Sequence, residues 1–505
     1  MKLRQTSWIL VAGLLLTGTV AFAQDQKQDQ TAPIDLNAPM QPLDTPATVP
    51  GGNRPPVGAA RGVSEPFDPQ TYDPAQVAPD TNTLAGLAPI TLGSLQHSRN
   101  IFDPSISFSQ IGQTYPLTSQ SSGPSIVTDQ SFVSGSLNFD RTWSEYHLST
   151  IYNGGEIFNY GFHGSSPSFG SIPPHYQFHN LAFTQEINWA RWHVILKDNF
   201  SYSPGAAFTG QGIGGPGLAA QFSSSLGTSL SGISQSFQPS ETINTGEADR
   251  YMNSVLGQAE YSFSRRSALT IAASYGLLHF ITPGYFSSSL IEAQAGYDYE
   301  LSPANSIAIL GSYGRVSYTG LSDTTTEYVG AFAYGRKITG RLAFQIAAGP
   351  EEIQSVGAPG LGNFNLLFES VNSSLTYARR RGSVSINFVR GLTGGSGVFR
   401  GATSNTLSAS ARYQFTRYWT GSVNAGYAIN NSLAPAGVSS LQFDNWFVGA
   451  NLGRQIGYHA QVNLNYGATE QNPPANCPVV SCGFAGLQQT VGVSVNWHLR
   501  ALGRQ

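Results

Sequence analysis

The stretch Thr490–Leu499 leaves few folds open. Val491, Val493, Val495, Trp497 and Leu499 alternate with Gly492, Ser494, Asn496 and His498. Side chains on a strand point to opposite faces with period two, so this segment has one apolar and one polar face. Residues 458–466 repeat the pattern, with Tyr458, Ala460, Val462, Leu464 and Tyr466 set against His459, Gln461, Asn463 and Asn465. A soluble sandwich would alternate too, but with bulky aliphatics throughout its inward face. Here the polar face is Asn, Gln, Ser and Gly, and the apolar face ends in aromatics. Such a strand has lipid on one side and a watery lumen on the other.

Only 11% of the 505 residues are charged, while Gly (56), Phe (28) and Tyr (23) are heavily used. No apolar run of about 18 residues follows the N-terminus, which excludes a helical membrane protein. Lys2 and Arg4 precede an apolar run from Trp8 to Val20 and then Ala21-Phe22-Ala23. This reads as a signal peptide over 1–23, cleaved before Gln24. Residues 24–100 begin with a Pro-rich, acidic stretch holding eleven prolines up to residue 80. It cannot bury enough apolar surface to fold and reads as a largely disordered periplasmic segment. Residues 101–505 form the remaining domain.

From residue 104 onward the chain breaks into alternating segments, which predicts an all-β fold of about eighteen strands, sixteen at the fewest. On 291–299, Ile291, Ala293, Ala295, Tyr297 and Tyr299 oppose Glu292, Gln294, Gly296 and Asp298. Short connections, such as Asp140-Arg141, Arg336-Lys337 and Gly453-Arg454, alternate with long ones, such as 204–251 and 350–365. Short periplasmic turns facing longer external loops are the bacterial outer-membrane arrangement. An even strand number puts both termini on the short-turn side, in agreement with a segment placed before the first strand.

Over residues 104–499 the chain therefore resembles the bacterial outer-membrane β-barrels, and among them the porin-like channels, by architecture and not by a motif of one family. Trp497 and Leu499 stand where such barrels end on an aromatic residue, although Ala501–Gln505 follow. The resemblance implies a passive diffusion channel for small hydrophilic solutes in the outer membrane of a Gram-negative bacterium. Its partners would be outer-membrane lipids, the barrel-assembly machinery and further copies of the chain. The alternative is a non-conducting structural or export-associated barrel, for instance one serving surface polysaccharide. An enzyme is the weakest reading.

Charge is segregated. Of the twenty Lys and Arg residues from 101 onward, eleven lie in seven of the eight short turns, whereas Glu156, Glu241, Glu247, Asp249, Asp323, Glu351, Glu352 and Glu470 fall in long loops. A basic periplasmic rim would favour phospholipid head groups. The expected lumen is mostly neutral, with Glu186, Lys197, Glu260, Glu292, Asp298, Arg341 and Arg412 as its charges, too mixed in sign to form a selective ring. The loop 204–251 is rich in Gly, Ser and Gln, with enough apolar residues to fold inward as a constriction whose return carries Glu241, Glu247 and Asp249. Cys477 and Cys482 read as a local disulfide, worth about 2 kcal/mol in the chain-entropy account.

No catalytic, cofactor or metal site is expected. His147 and Ser149 form an H-x-S pair loosely like that of outer-membrane phospholipases, but such neighbours arise freely in Ser-rich strands. Gly210–Gly215 reads G-x-G-x-x-G without a following helix. His163, His175 and His179 suit a rim more than a metal. Nucleic-acid binding has no basic face to rest on.

Overall fold

The structure is a computed structural model, and it describes residues 99–498 apart from 117–124, 161–174, 205–248, 265, 282–283, 303, 320–322, 359–361, 380, 394–398, 435–439, 458 and 473–485. Eighteen strands follow one another. They are β1 Arg99–Pro116, β2 Ser125–Trp143, β3 Tyr146–Tyr160, β4 His175–Asn188, β5 Trp192–Pro204 and β6 Asp249–Ser262. Next come β7 Ser267–Phe280, β8 Ser288–Ser302, β9 Asn305–Tyr318, β10 Thr324–Lys337, β11 Leu342–Ala358 and β12 Gly362–Arg379. The last are β13 Gly382–Thr393, β14 Ala402–Gln414, β15 Trp419–Ser432, β16 Gln442–Ile456, β17 Ala460–Asn472 and β18 Gly486–His498. Each pairs antiparallel with the next, and β18 returns to β1 from Ser105↔His498 to Thr114↔Gln489. Closure leaves no edge strand, which a lipid environment requires because unpaired backbone groups find no water there. The chain is a transmembrane β-barrel of the outer-membrane type.

The expected faces are those observed. Val491, Val493, Val495 and Trp497 are 40–53% exposed, whereas Ser494 is 1% exposed and accepts from Asn463 Nδ2 at 3.5 Å. On β8 the outward Ile291, Tyr297 and Tyr299 alternate with buried Glu292, Gln294 and Asp298. Inner hydroxyls and amides pair across strands, as in Ser107–Ser134 at 2.6 Å, Ser385–Ser410 at 2.7 Å and Asn451–Asn465.

The outer face also gives the depth of the apolar band. On β12 the outward residues run from Arg379 through Tyr377, Leu375, Ser373 and Val371 to Glu369, and on β16 from Arg454 through Leu452, Ala450, Val448 and Trp446 to Asp444. Ten residues at about 3.3 Å per residue and about 40° tilt span about 25 Å, the usual height of such a band. Below it the short-turn rim carries exposed Arg141, Arg191, Arg266, Arg336, Arg379, Arg417 and Arg454. The Arg141 guanidinium lies 4.9 Å from the Trp143 ring centre, and that of Arg454 lies 5.2 Å from Trp419.

Several connections differ from expectation. The span 350–365 is not a long loop: β11 continues to Ala358 and β12 begins at Gly362, paired from Pro350↔Glu369 to Ser355↔Phe364. Glu351 and Glu352 are therefore strand residues, as are Glu156 on β3, Asp249 on β6 and Glu470 on β17. The turn expected at Gly453-Arg454 instead follows the end of β16 at Ile456, where Gly457 adopts φ +68. Arg336 and Lys337 close β10, and their turn is 338–341.

Candidate pore and its charged lining

The inner wall is divided by charge. Strands β2–β6 carry both signs. The His147 ring has Nε2 2.8 Å from Asp140 Oδ2 and Nδ1 3.6 Å from Glu186 Oε2. Both ring nitrogens thus face carboxylates, which leaves neither to serve as a base for Ser149. Lys197 and Glu260 face inward nearby, 4% and 1% exposed. Strands β8–β11 carry acids instead: Glu292, Asp298, Glu300, Glu327 and Glu351 all point inward and are buried. Glu292 and Glu327 both register with Gly314 on the strand between them, so no side chain stands between these two inward acids. The inward residues described on β12–β17 are neutral, with Arg412 the exception.

Of the lining expected from sequence, Glu186, Lys197, Glu260, Glu292, Asp298 and Arg412 therefore have inward strand positions, whereas Arg341 is exposed in the turn 338–341. The inward signs are not interspersed throughout, because one arc of the wall is acidic. Glu327 and Glu351 escaped the sequence reading. The outer face of β10 reads Tyr328, Gly330 and Phe332, and its inner face Val329, Ala331 and Ala333, so polarity does not say which side Glu327 shares. Glu241, Glu247, Cys477, Cys482 and His163 lie outside the described residues, and Asp249 opens β6. His179 faces outward and stacks between Tyr152 and Tyr202 at 6.3 and 6.4 Å. Among the described residues no three His, Cys, Asp or Glu are placed to hold a metal.

The long-connection mouth is apolar inside, which the sequence did not announce. Leu290, Val316, Tyr318, Ile353 and Leu392 form one buried cluster on β8–β13, and Ile111, Phe132, Ile157 and Phe178 another on β1–β4. The connection 281–287 joins the rim together. Gly284 takes φ +99, a conformation that favours glycine, and next to it Tyr285 stacks on Phe280 at 5.0 Å. Tyr285 also packs against Phe399, Ala402 and Phe443, from the end of the β13–β14 connection, β14 and β16. Because β7 and β16 are nine strands apart in an eighteen-strand barrel, this contact crosses the mouth. Burial pushes the Tyr285 hydroxyl above the ordinary phenol range. Phe286 packs on the Leu290–Leu392 cluster, with the Arg400 guanidinium 4.9 Å from its ring centre. Arg400 Nη1 in turn pairs with Asp323 Oδ2 at 2.9 Å. One ion pair and one ring thus tie three connections together.

No family model matches the sequence, and no curated protein does. Solved structures of similar fold include the outer membrane protein OpdK of Pseudomonas aeruginosa, at 10% identity and TM-score 0.39, covering 81% of this chain and 100% of that one. OccAB3 of Acinetobacter baumannii matches at 8% identity and TM-score 0.39, covering 79% and 99%. OccK2 (OpdF) of Pseudomonas aeruginosa, solved in complex with glucuronate, matches at 10% identity and TM-score 0.40, covering 79% and 98%. Likeness at this level says nothing of solutes.

Proposed function

We propose that the chain is an outer-membrane channel for passive diffusion of small hydrophilic solutes. The observation that carries this reading is the pairing of a closed eighteen-strand wall with an inner face of Ser, Thr, Asn, Gln and charged residues. A barrel of this strand number is too wide for its own side chains to fill. The acidic arc on β8–β11 favours cations over anions, since a wall of one sign raises the local concentration of the other. Residues 1–23 would direct export and 24–100 would form the periplasmic segment. The arginine rim would rest on phospholipid head groups, and the barrel-assembly machinery would insert the chain. No enzymatic step is part of this reading.

The apolar cap at the mouth supports a second reading, a non-conducting barrel. One experiment separates the two: planar-bilayer recording of the refolded full chain. Discrete, cation-preferring conductance steps are expected, and their absence from correctly folded protein would leave the structural or export-associated role. We further propose that the connection between β5 and β6 narrows the pore, with Glu241 and Glu247 near its return and Asp249 at the start of β6. Replacing 210–240 with a short Gly-Ser linker should then raise unitary conductance, and unchanged conductance would put the loop outside the pore.

A further inference from the structure

Among the described residues, the outer face of the barrel carries one acid at the wrong depth. The outward charges Glu352 on β11, Glu369 on β12 and Glu470 on β17 each sit ten residues from the short-turn end of the strand, and Asp444 on β16 sits ten residues above the rim residue Arg454, all at the top of the apolar band. Asp198 on β5 faces outward only six residues above Trp192. That is about 15 Å up a band of about 25 Å. Apolar side chains continue above it with Phe200 and below it with Leu196, 37% and 47% exposed. Asp198 is not a boundary residue but a carboxylate at hydrocarbon depth.

An ionisable group there is costly unless something polar covers it, and acyl chains offer no donor. Asn253, outward on β6, donates Nδ2 to Asp198 Oδ1 at 2.9 Å. A carboxylate can accept more than one such bond. The amide has a second proton, which rests on the Asn199 carbonyl at a long 3.4 Å. Around this donor–acceptor pair stand Leu181, Phe183 and Val255, 40%, 37% and 44% exposed. A polar centre within an apolar surround is the form of a protein interface, and a patch with acceptor and donor side by side is complementary to itself.

We propose that this face of β4–β6 is an interface with a second copy of the chain. The two copies meet about a two-fold axis, and Asn253 of each turns its second amide proton from the long Asn199 contact to Asp198 of the other copy. The charge is then covered by amide and apolar side chains in place of lipid. The contact is isologous, so it closes at two barrels.

The test uses the full chain in native outer membranes and in nanodiscs. Val255→Cys should give a covalent dimer with a short bifunctional thiol reagent. Val423→Cys, on the opposite wall and carrying the same two native cysteines, should not. Native mass spectrometry of the wild type should read two chains, and Asp198→Leu should raise the dimer dissociation constant about tenfold while the heat-modifiable gel shift of a folded barrel is kept. A wild-type monomer, equal cross-linking at Val423→Cys, a ladder reaching three chains, or a Val255→Cys product containing a different protein would each overturn the proposal. Should Asp198→Leu not fold, the Val255→Cys and Val423→Cys pair decides the matter alone.

Discussion

An arginine on the lipid face tests both the facing and the depth of β18. Val493 lies four residues above Trp497, about 10 Å into a band of about 25 Å, and is 46% exposed. Leu487 is on the same face of the same strand, ten residues above Trp497, at the upper boundary. Arginine near the bilayer midplane typically costs about 2–4 kcal/mol, falling to about 0–1 kcal/mol at the interface. Val493→Arg should therefore lose about 2 kcal/mol or more relative to Leu487→Arg, a factor of roughly thirty in the folding equilibrium. Reversible denaturant unfolding in phospholipid vesicles, followed by tryptophan fluorescence and checked by heat-modifiable gel mobility, reads the difference. Equal losses at the two sites would refute the depth assignment, and no loss at Val493 would refute the facing. Ser494, which the alternation alone would make a harmless control, is unsuited to that role. It is 1% exposed and bonded to Asn463, so an arginine there would bury a charge and overpack the inner wall.

Three further outcomes are expected. Arg400→Ala removes both the Asp323 ion pair and the cover over Phe286, so the mouth should loosen and unitary conductance rise; conductance equal to wild type would mean that the cap does not limit flow. Glu327→Gln removes one of the carboxylates crowded around Gly314 and should shift the reversal potential in a KCl gradient toward weaker cation preference. If Cys477 and Cys482 are bridged, intact cells should resist a thiol-reactive label until reductant is added, and labelling without reductant would show free thiols.

The parts of this fold that the sequence discloses are those where lipid and water impose opposite demands on neighbouring residues. On β8, Ile291 must face lipid and Glu292 must not, and the period-two pattern follows from that alone. Where both faces are apolar, as on β10 around Val329 and Phe332, the demand vanishes and Glu327 cannot be assigned. Strand ends are misread where a local signal imitates a turn. Pro350 with the glycines at 357, 360 and 362 looks like a loop, yet β11 carries Pro350 opposite Glu369. The mouth is illegible for a different reason. Tyr285 meets Phe399 and Phe443 across the barrel, more than a hundred positions along the chain, and no local periodicity encodes such a contact.

Depth is the one quantity that requires sequence and structure together. Residue type gives the charge of Asp198, and alternation gives its outward face, but only the common starting level of the strands reveals that it stands about four residues too low. Glu352, Glu369, Asp444 and Glu470 are equally acidic and equally outward, and their position at the top of the band, with Gln354, Arg390, Gln442 and Trp446 beside them, explains them without a second copy. The same reasoning separates the acids on the inner wall from those outside. Glu351 and Glu352 are neighbours in sequence, yet one joins the acidic arc of the candidate pore and the other marks the membrane boundary. In a barrel, then, a charge takes its meaning from two coordinates, the face and the height. A reading that supplies only the first will assign polar residues to the lumen correctly and still miss the one that calls for a neighbour.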